Sequence, residues 1–394
     1  MKSPWFDRLE QLMLLVLSGF VIWPNAVSSI ALIVLFVIAI LRSQRKVLPS
    51  KKEWWLFLLP CCILFSWLLH GMATDGFRDL QLWGTWIAAI IYFRLSRFQS
   101  LFLQFFVLVS SIYASVFLLW LVLSDPIPAL NFAQLLRDQV QESFHVHPTY
   151  LSALWFGATL IVITNLERYR WWHVIMLTLL IIAGLFAGGK MPFLALCVAL
   201  VAYFFYRLKT GRWLAMLGIM SVATAMVFFN PVLRERVNEF KNVEVDYSKG
   251  QWLSSTELRI GIWRCAIKSI KENWLVGVGL GNTRNALDAC YAQYEQSQFF
   301  ETEFNEHNQL MHFWLSGGVF SALGFILFFL LLLRFCKKEK RLVLMLFTFY
   351  FLMISLTENY LSRQHGMMFW SFITMALLTK EKERLPFLSK PSSM

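Results

Sequence analysis

Long blocks of apolar residues, separated by short polar seams, run through almost the whole chain. Inside the blocks the apolar residues are continuous, and several blocks approach the roughly 20 residues that carry a helix across a bilayer. Twelve stretches stand out, at about 9–23, 27–41, 54–70, 82–96, 100–124, 148–165, 172–187, 191–206, 213–229, 307–334, 342–357 and 363–379. Backbone inside hydrocarbon must satisfy its own hydrogen bonds, which leaves helices or closed barrels. A barrel strand would alternate apolar and polar positions, and these blocks do not. The pattern therefore predicts an all-α polytopic membrane protein with about 12 transmembrane helices. Trp23, Pro24 and Asn25 read as a tight turn between the first two, and the first is short enough to be partly re-entrant.

The seams divide the chain into nine helices over 1–229, a long polar loop over 230–306, three helices over 307–380 and a tail over 381–394. At 394 residues, 58% hydrophobic and with a mean hydropathy of +0.56, the chain is too apolar for one soluble core. A net charge of +12 raises the question of nucleic acid, but no basic stripe interleaved with aromatics is present, and no nucleic-acid partner is expected. The cations sit in short seams, where they fix orientation. Segments on the side of the N-terminus hold 23 of the 36 Lys and Arg, whereas the short loops of the other side hold four, Arg78, Arg137, Lys190 and Arg363. This asymmetry places both termini in the cytoplasm and the 230–306 loop outside. Tryptophans such as those in EWWLF and YRWWHV read as interface anchors. No small-residue cleavage site follows the first apolar block, which reads as a span rather than a signal peptide.

The long loop has its own pattern. Ser254 and Glu257 stand at capping-box spacing, and apolar positions at Leu258, Ile262, Cys265, Ala266 and Ile270 form one helical face. A second helix is expected within NTRNALDACYAQYEQ, with GVGLGN between the two. That glycine run is neither a Walker motif nor a dinucleotide fingerprint, because no strand precedes it. Cys61, Cys62 and Cys197 fall within spans and Cys336 faces the cytoplasm; Cys265 and Cys290 share the outer loop, where a disulfide would persist if the compartment is oxidising. No Cys or His spacing points to zinc, and no metal site or cofactor is expected.

Ionisable residues at membrane depth are costly and mark sites when present. Here they gather on the outer side: His145 and His147 before the sixth span, Lys190 in FAGGKMPF, Arg259 opening the loop helix, His307 and Asn308 where the chain re-enters the membrane, and Glu358 and Arg363 in TENYLSRQHG. Each also has a structural reading. Lys190 can snorkel to headgroups, Arg259 can be an exposed helix charge, His307 an interface histidine, Glu358 and Arg363 an ion pair, and His147 a shaper of the loop before Pro148. Together they suit a diphosphate leaving group: Arg and Lys hold phosphate oxygens, fixed cations stabilise the developing charge, and an imidazole takes the proton of a sugar hydroxyl. Asp-x-Asp, which holds a metal in many soluble nucleotide-sugar transferases, does not occur in the chain.

Three segments, SSTELRIGIWRCAIKSIKENWLVGVGLGN, FNEHNQLMHFWLSGGVFSALGFILF and LTENYLSRQHGMMFW, resemble the bacterial O-antigen ligase and polymerase superfamily. The resemblance covers most of the chain from about residue 147 onward, and before that only hydropathy matches. It implies an all-helical, GT-C-like, metal-independent inverting glycosyltransferase of the bacterial inner membrane, with its active site in the periplasm. The implied donor is an undecaprenyl-diphosphate-linked glycan, and the acceptor is lipid A–core oligosaccharide or a second lipid-linked glycan. The family's loop-helix arginine falls on Arg259, as diphosphate ligand, and its essential histidine on His307, as general base. A further family arginine falls on Lys190, which keeps the charge without the bidentate fork. Arg264 and Arg284 are possible substitutes on the loop. Asn308 and Glu306 are expected to orient the imidazole, and His312, on a different helical face, to be structural.

A ligase has two alternatives. A polymerase uses the same donor and differs in acceptor. A lipid-linked glycan transporter would place its polar residues near the bilayer midplane, between broken helices, whereas here they collect at one face.

Overall fold

The computed structural model describes residues 4–42, 51–72, 74–124, 132–165, 171–208, 210–230, 234, 253–294, 297–301 and 304–379. The tail at 381–394 and most of the loop between 231 and 252 lie outside the described residues. Among those described, all regular structure is helical. In chain order the helices are α1 (Pro4–Ser18), α2 (Asn25–Arg42), α3 (Leu58–Leu69), α4 (Thr74–Leu95), α5 (Gln99–Leu123), α6 (Phe132–Phe144), α7 (Pro148–Asn165), α8 (Trp171–Phe186), α9 (Lys190–Arg207) and α10 (Arg212–Phe229). They continue with α11 (Ser255–Glu272), α12 (Thr283–Tyr291), α13 (Gln298–Glu301), α14 (Gln309–Lys338), α15 (Leu342–Ser355) and α16 (Gln364–Thr379). Short 3-10 turns cover Lys51–Phe57 and Tyr360–Ser362.

A helix overlaps each of the twelve apolar stretches. By length and composition alone, α2, α5, α9 and α14 are long and apolar enough to cross a membrane. A fifth candidate is the bent pair Leu135–Phe144 and Pro148–Thr164, whose halves meet at 81°. The α6 half escaped the hydropathy pattern because it is amphipathic, with Arg137, Asp138 and Glu142 on a mixed surface.

α16 forms the centre. Every residue from Gly366 to Leu378 is buried, as expected of a helix apolar on all sides. It packs on α4, α5, α7 and α15. Trp370 lies among Phe351 at 4.4 Å, Phe329 at 5.3 Å and Trp86 at 6.1 Å between ring centroids. The tryptophans therefore divide. Trp54 and Trp171 are exposed, as anchors should be, but Trp86, Trp155 and Trp370 are fully buried core. Cys336 is likewise buried, in the last turns of α14, rather than facing outward.

The two loop helices form the expected hairpin. Ser254 caps α11 with both arms of the capping box in place, and Cys265 is bonded to Cys290, tying α11 to α12. The GVGLGN run between them docks into a break in α14. Gly317 and Gly318 leave helical geometry there, and the freed backbone groups are taken over by the loop. Val278 N–H donates to Leu315 O at 2.8 Å, Gly279 N–H to Ser316 O at 3.2 Å, and Val319 N–H to Trp274 O at 2.9 Å. Ser66 Oγ adds a 2.6 Å bond to Ser316 O. The part of α14 beyond the break is roughly 20 residues, about 30 Å, which is one hydrocarbon thickness. Residues 305–316 precede the break.

Gly318 has φ +68° and its absent Cβ would lie 2.1 Å from Leu275 O; at Gly277, φ +73°, it would lie 2.6 Å from Leu315 O. Gly277→Ala and Gly318→Ala should each cost roughly 2–6 kcal/mol, read as lost thermal midpoint in detergent. Gly84→Ala, where nothing lies within 4 Å, should be neutral. The cross-link closes a loop with a sequence separation of 25. Cys265→Ser should therefore lower stability by about 3 kcal/mol on the chain-entropy model, and in the wild type both loop thiols should label only after reduction.

Candidate active site

The face of α11 that meets the membrane helices carries Thr256, Arg259 and Trp263, spaced three and four residues apart and so stacked on one side. Each end of that face is tied. Lys190 Nζ, at the start of α9, donates to Thr256 Oγ1 at 3.3 Å. Trp263 Nε1 donates to the carbonyl of Glu306, next to His307, at 3.0 Å. Arg259 lies between these ties, and its charge acts on Glu358, His147 and Tyr360. Lys190, Arg259, His147, His307 and Glu358 are therefore brought to one end of the bundle.

His307 precedes the α14 N-cap, Asn308, whose side chain accepts from Met311 N–H at 3.1 Å. Its backbone is left-handed, φ +45°, which costs a non-glycine residue about 1 kcal/mol. Asn305 Oδ1 accepts the His307 N–H at 2.9 Å in a local Asx turn. The ring is held by Glu358, with Nδ1 3.0 Å from Oε2. The imidazole side chain is 21% exposed and the carboxylate 6%, so the base is reachable from one side and backed by a buried acid. Burial alone would raise the Glu358 pKa. The charge of His307 and its hydrogen bond outweigh this, with smaller help from His147 and Arg259, and leave it at about 2. An ionised carboxylate only accepts, so the proton of this contact sits on Nδ1, and it is in the neutral form of the ring that Nε2 has a lone pair to offer.

Several sequence expectations are corrected. Glu306, expected to orient His307, is turned the other way: its Oε2 accepts from His312 Nδ1 at 3.1 Å and Asn359 Nδ2 at 2.6 Å. Burial opposes its charge, but His312, its own backbone N–H and Asn359 hold its carboxyl below the usual range. The acid that contacts the His307 ring is Glu358, and it pairs with His307 rather than with Arg363, which is exposed. Asn308 holds backbone, donating through Nδ2 to Leu356 O at 3.0 Å. Arg264 is exposed on another side of α11, and Arg284 pairs with Asp288 at 2.6 Å. His312 is buried against Glu306, in keeping with a structural part.

The residues that sequence reasoning missed are Asn359, in the turn before α16, and Gln309, the first residue of α14. Asn359 accepts from Asn308 N–H at 2.7 Å, and Gln309 Oε1 accepts from Leu361 N–H at 2.7 Å. Their signal was only their place beside Glu358 and His307. His147 is partly buried, with Nδ1 accepting from Thr149 N–H at 3.3 Å. Burial pushes its pKa down to about 4, against the attraction of Glu358. Among the described residues no three His, Cys, Asp or Glu side chains gather to hold a metal ion.

Residues 174–329 match the family model described as O-Antigen ligase. The match spans α8 to most of α14 and includes Lys190, Arg259, His307 and the Gly317–Gly318 break; Glu358 and Asn359 lie beyond it. Over that stretch, less than half of the chain, the sequence is similar to that family. No curated protein matches the chain.

A histidine with a folded pKa below its unfolded value binds fewer protons when folded, so stability falls as pH drops from about 6.5 toward 4. His147→Gln should remove that loss: thermal midpoints of variant and wild type should move in the variant's favour across this window.

Proposed function

We propose that this chain acts as an O-antigen ligase, transferring a glycan from undecaprenyl diphosphate to lipid A–core oligosaccharide on the periplasmic face of the bacterial inner membrane. The observation that carries the reading is the 3.0 Å contact of His307 with Glu358, set beside the α11 face that bears Arg259. The family match points to glycosyltransferase-like chemistry on lipid-linked glycans. The Cys265–Cys290 bond and the Lys and Arg asymmetry support an oxidising, outer location for this end of the bundle.

In this reading the acceptor hydroxyl gives its proton to His307 Nε2 as its oxygen attacks the anomeric carbon of the donor sugar. The bond from that carbon to the diphosphate oxygen breaks, and undecaprenyl diphosphate leaves with the electron pair. Attack opposite the leaving group inverts the anomeric centre. Glu358 stabilises the imidazolium as it forms. Arg259 grips the departing diphosphate with its fork and Lys190 adds a point charge. A base held in register and a fixed cation are each worth on the order of 10²–10³ in rate.

The test is transfer by the purified chain between undecaprenyl-diphosphate-linked glycan and lipid A–core. His307→Ala should lower the rate about 10³-fold with membrane expression intact, and retained activity removes the general base. Arg259→Lys should cost roughly 10–100-fold if the bidentate fork matters. Glu358→Gln should cost about 10²-fold and move the acidic limb of the kcat profile to lower pH, because the imidazolium loses its anion. In cells lacking the chain, bare core with glycan stranded on the carrier fits a ligase; core plus one repeat identifies a polymerase.

A further inference from the structure

His307 is bracketed by a single residue of another element. Asn359, fully buried in the turn before α16, accepts from Asn308 N–H through Oδ1 at 2.7 Å. Through Nδ2 it donates to Glu306 Oε2 at 2.6 Å. Its own N–H donates to Glu358 Oε1 at 3.1 Å, and the other oxygen of that carboxylate holds the His307 ring. One residue thus grips the neighbour before the histidine, the neighbour after it and the acid behind it. The position demands a short side chain that donates and accepts at once, which an amide does. Aspartate would turn a second acceptor toward the Glu306 carboxylate, a serine hydroxyl would reach one partner, and glutamine is a methylene too long.

Resting on the transferase reading of this site, we propose that Asn359 is a positioning residue for His307. It holds the left-handed backbone at 307 and the Glu358 carboxylate in one arrangement, so that Nε2 meets the acceptor hydroxyl in a fixed pose. Displacement of a reacting group by about 1 Å costs on the order of 10²-fold in rate, and nothing else in the turn touches both sides of the histidine and its acid together.

The test compares the wild-type full chain with Asn359→Ser, using undecaprenyl-diphosphate-linked glycan and lipid A–core. The serine keeps its own N–H for Glu358, but its hydroxyl reaches one of the two side-chain partners, so one neighbour of the histidine is released. It adds no charge beside the Glu306 and Glu358 carboxylates. Arg259 and His147 act on Glu358 as well, Tyr150 and Tyr360 stand in its field, and Arg137 acts on His147. The expected result is a kcat lower by roughly 30–100-fold, little change in KM, and an acidic limb moved to lower pH as Glu358 loosens from the imidazolium. Ser362→Ala, which loses only a 3.3 Å bond from Gln309 in the same turn, should keep its rate within about twofold. Unchanged kcat overturns the proposal, and so does a kcat loss with an unmoved limb, which signals packing alone. If the serine variant does not fold, Asn359→Gln replaces it, with the same kcat loss and limb shift expected and an unmoved limb again decisive against. A wild-type chain that transfers nothing defeats the ligase reading itself, and this inference with it.

Discussion

A helix broken two turns after it starts is the constraint from which the rest of this structure follows. At Gly317 and Gly318 the chain of α14 gives up its own hydrogen bonds, and irregular backbone at membrane depth survives only where protein satisfies it. The 274–279 loop does so, strand-like, in both directions: it donates to Leu315 and Ser316 and accepts from Val319. Neither partner fits with a side chain in the way, because a Cβ on Gly277 would meet Leu315 O and Gly318 N, and one on Gly318 would meet Leu275 O and Val276 N. That interlock seats the α11–α12 hairpin on the bundle. With the Trp263 bond to Glu306, it sets the face carrying Arg259 against the residues that enter α14.

The polar end of the bundle is organised as two histidine–glutamate pairs with different access to solvent. His312 and Glu306 are closed in, at 8% and 1% side-chain exposure. His307 stays open at 21% while its partner is buried. Burying a carboxylate is costly unless it is paired and hydrogen-bonded, and both glutamates meet that condition. The closed pair anchors the segment, and the open pair is left with a ring nitrogen to spare. The left-handed backbone at His307 is tolerated because the anchored segment over-determines it.

Much of the fold was legible because hydropathy and capping are local. The twelve apolar stretches coincide with helices, and the Ser254 capping box and the second loop helix were readable from spacing alone. α6 was not, since its polar residues break the apolar run. The burial of Trp86, Trp155 and Trp370 was not, because the same side chain serves an interface or a core and only the neighbours decide. In the site, Lys190, Arg259, His307 and Glu358 could be picked out as polar residues at the ends of spans. Their partners could not. Glu306 adjoins His307 in the chain yet bonds His312, while Glu358 lies 51 positions away and makes the contact. Adjacency in sequence says little once a residue in αL turns its neighbours to opposite sides. The GVGLGN run, suggestive of a phosphate loop, instead serves backbone docking.

The break in α14 also separates two events in the life of the chain. Beyond it lies a stretch long enough to partition into lipid unaided. Before it stand only about eight helical residues, too few to hold a helix in isolation. Partitioning can therefore finish while the polar end is still unformed. The histidine pose then arises only as the hairpin seats, so the apolar body of the helix is in place before its polar end is assembled.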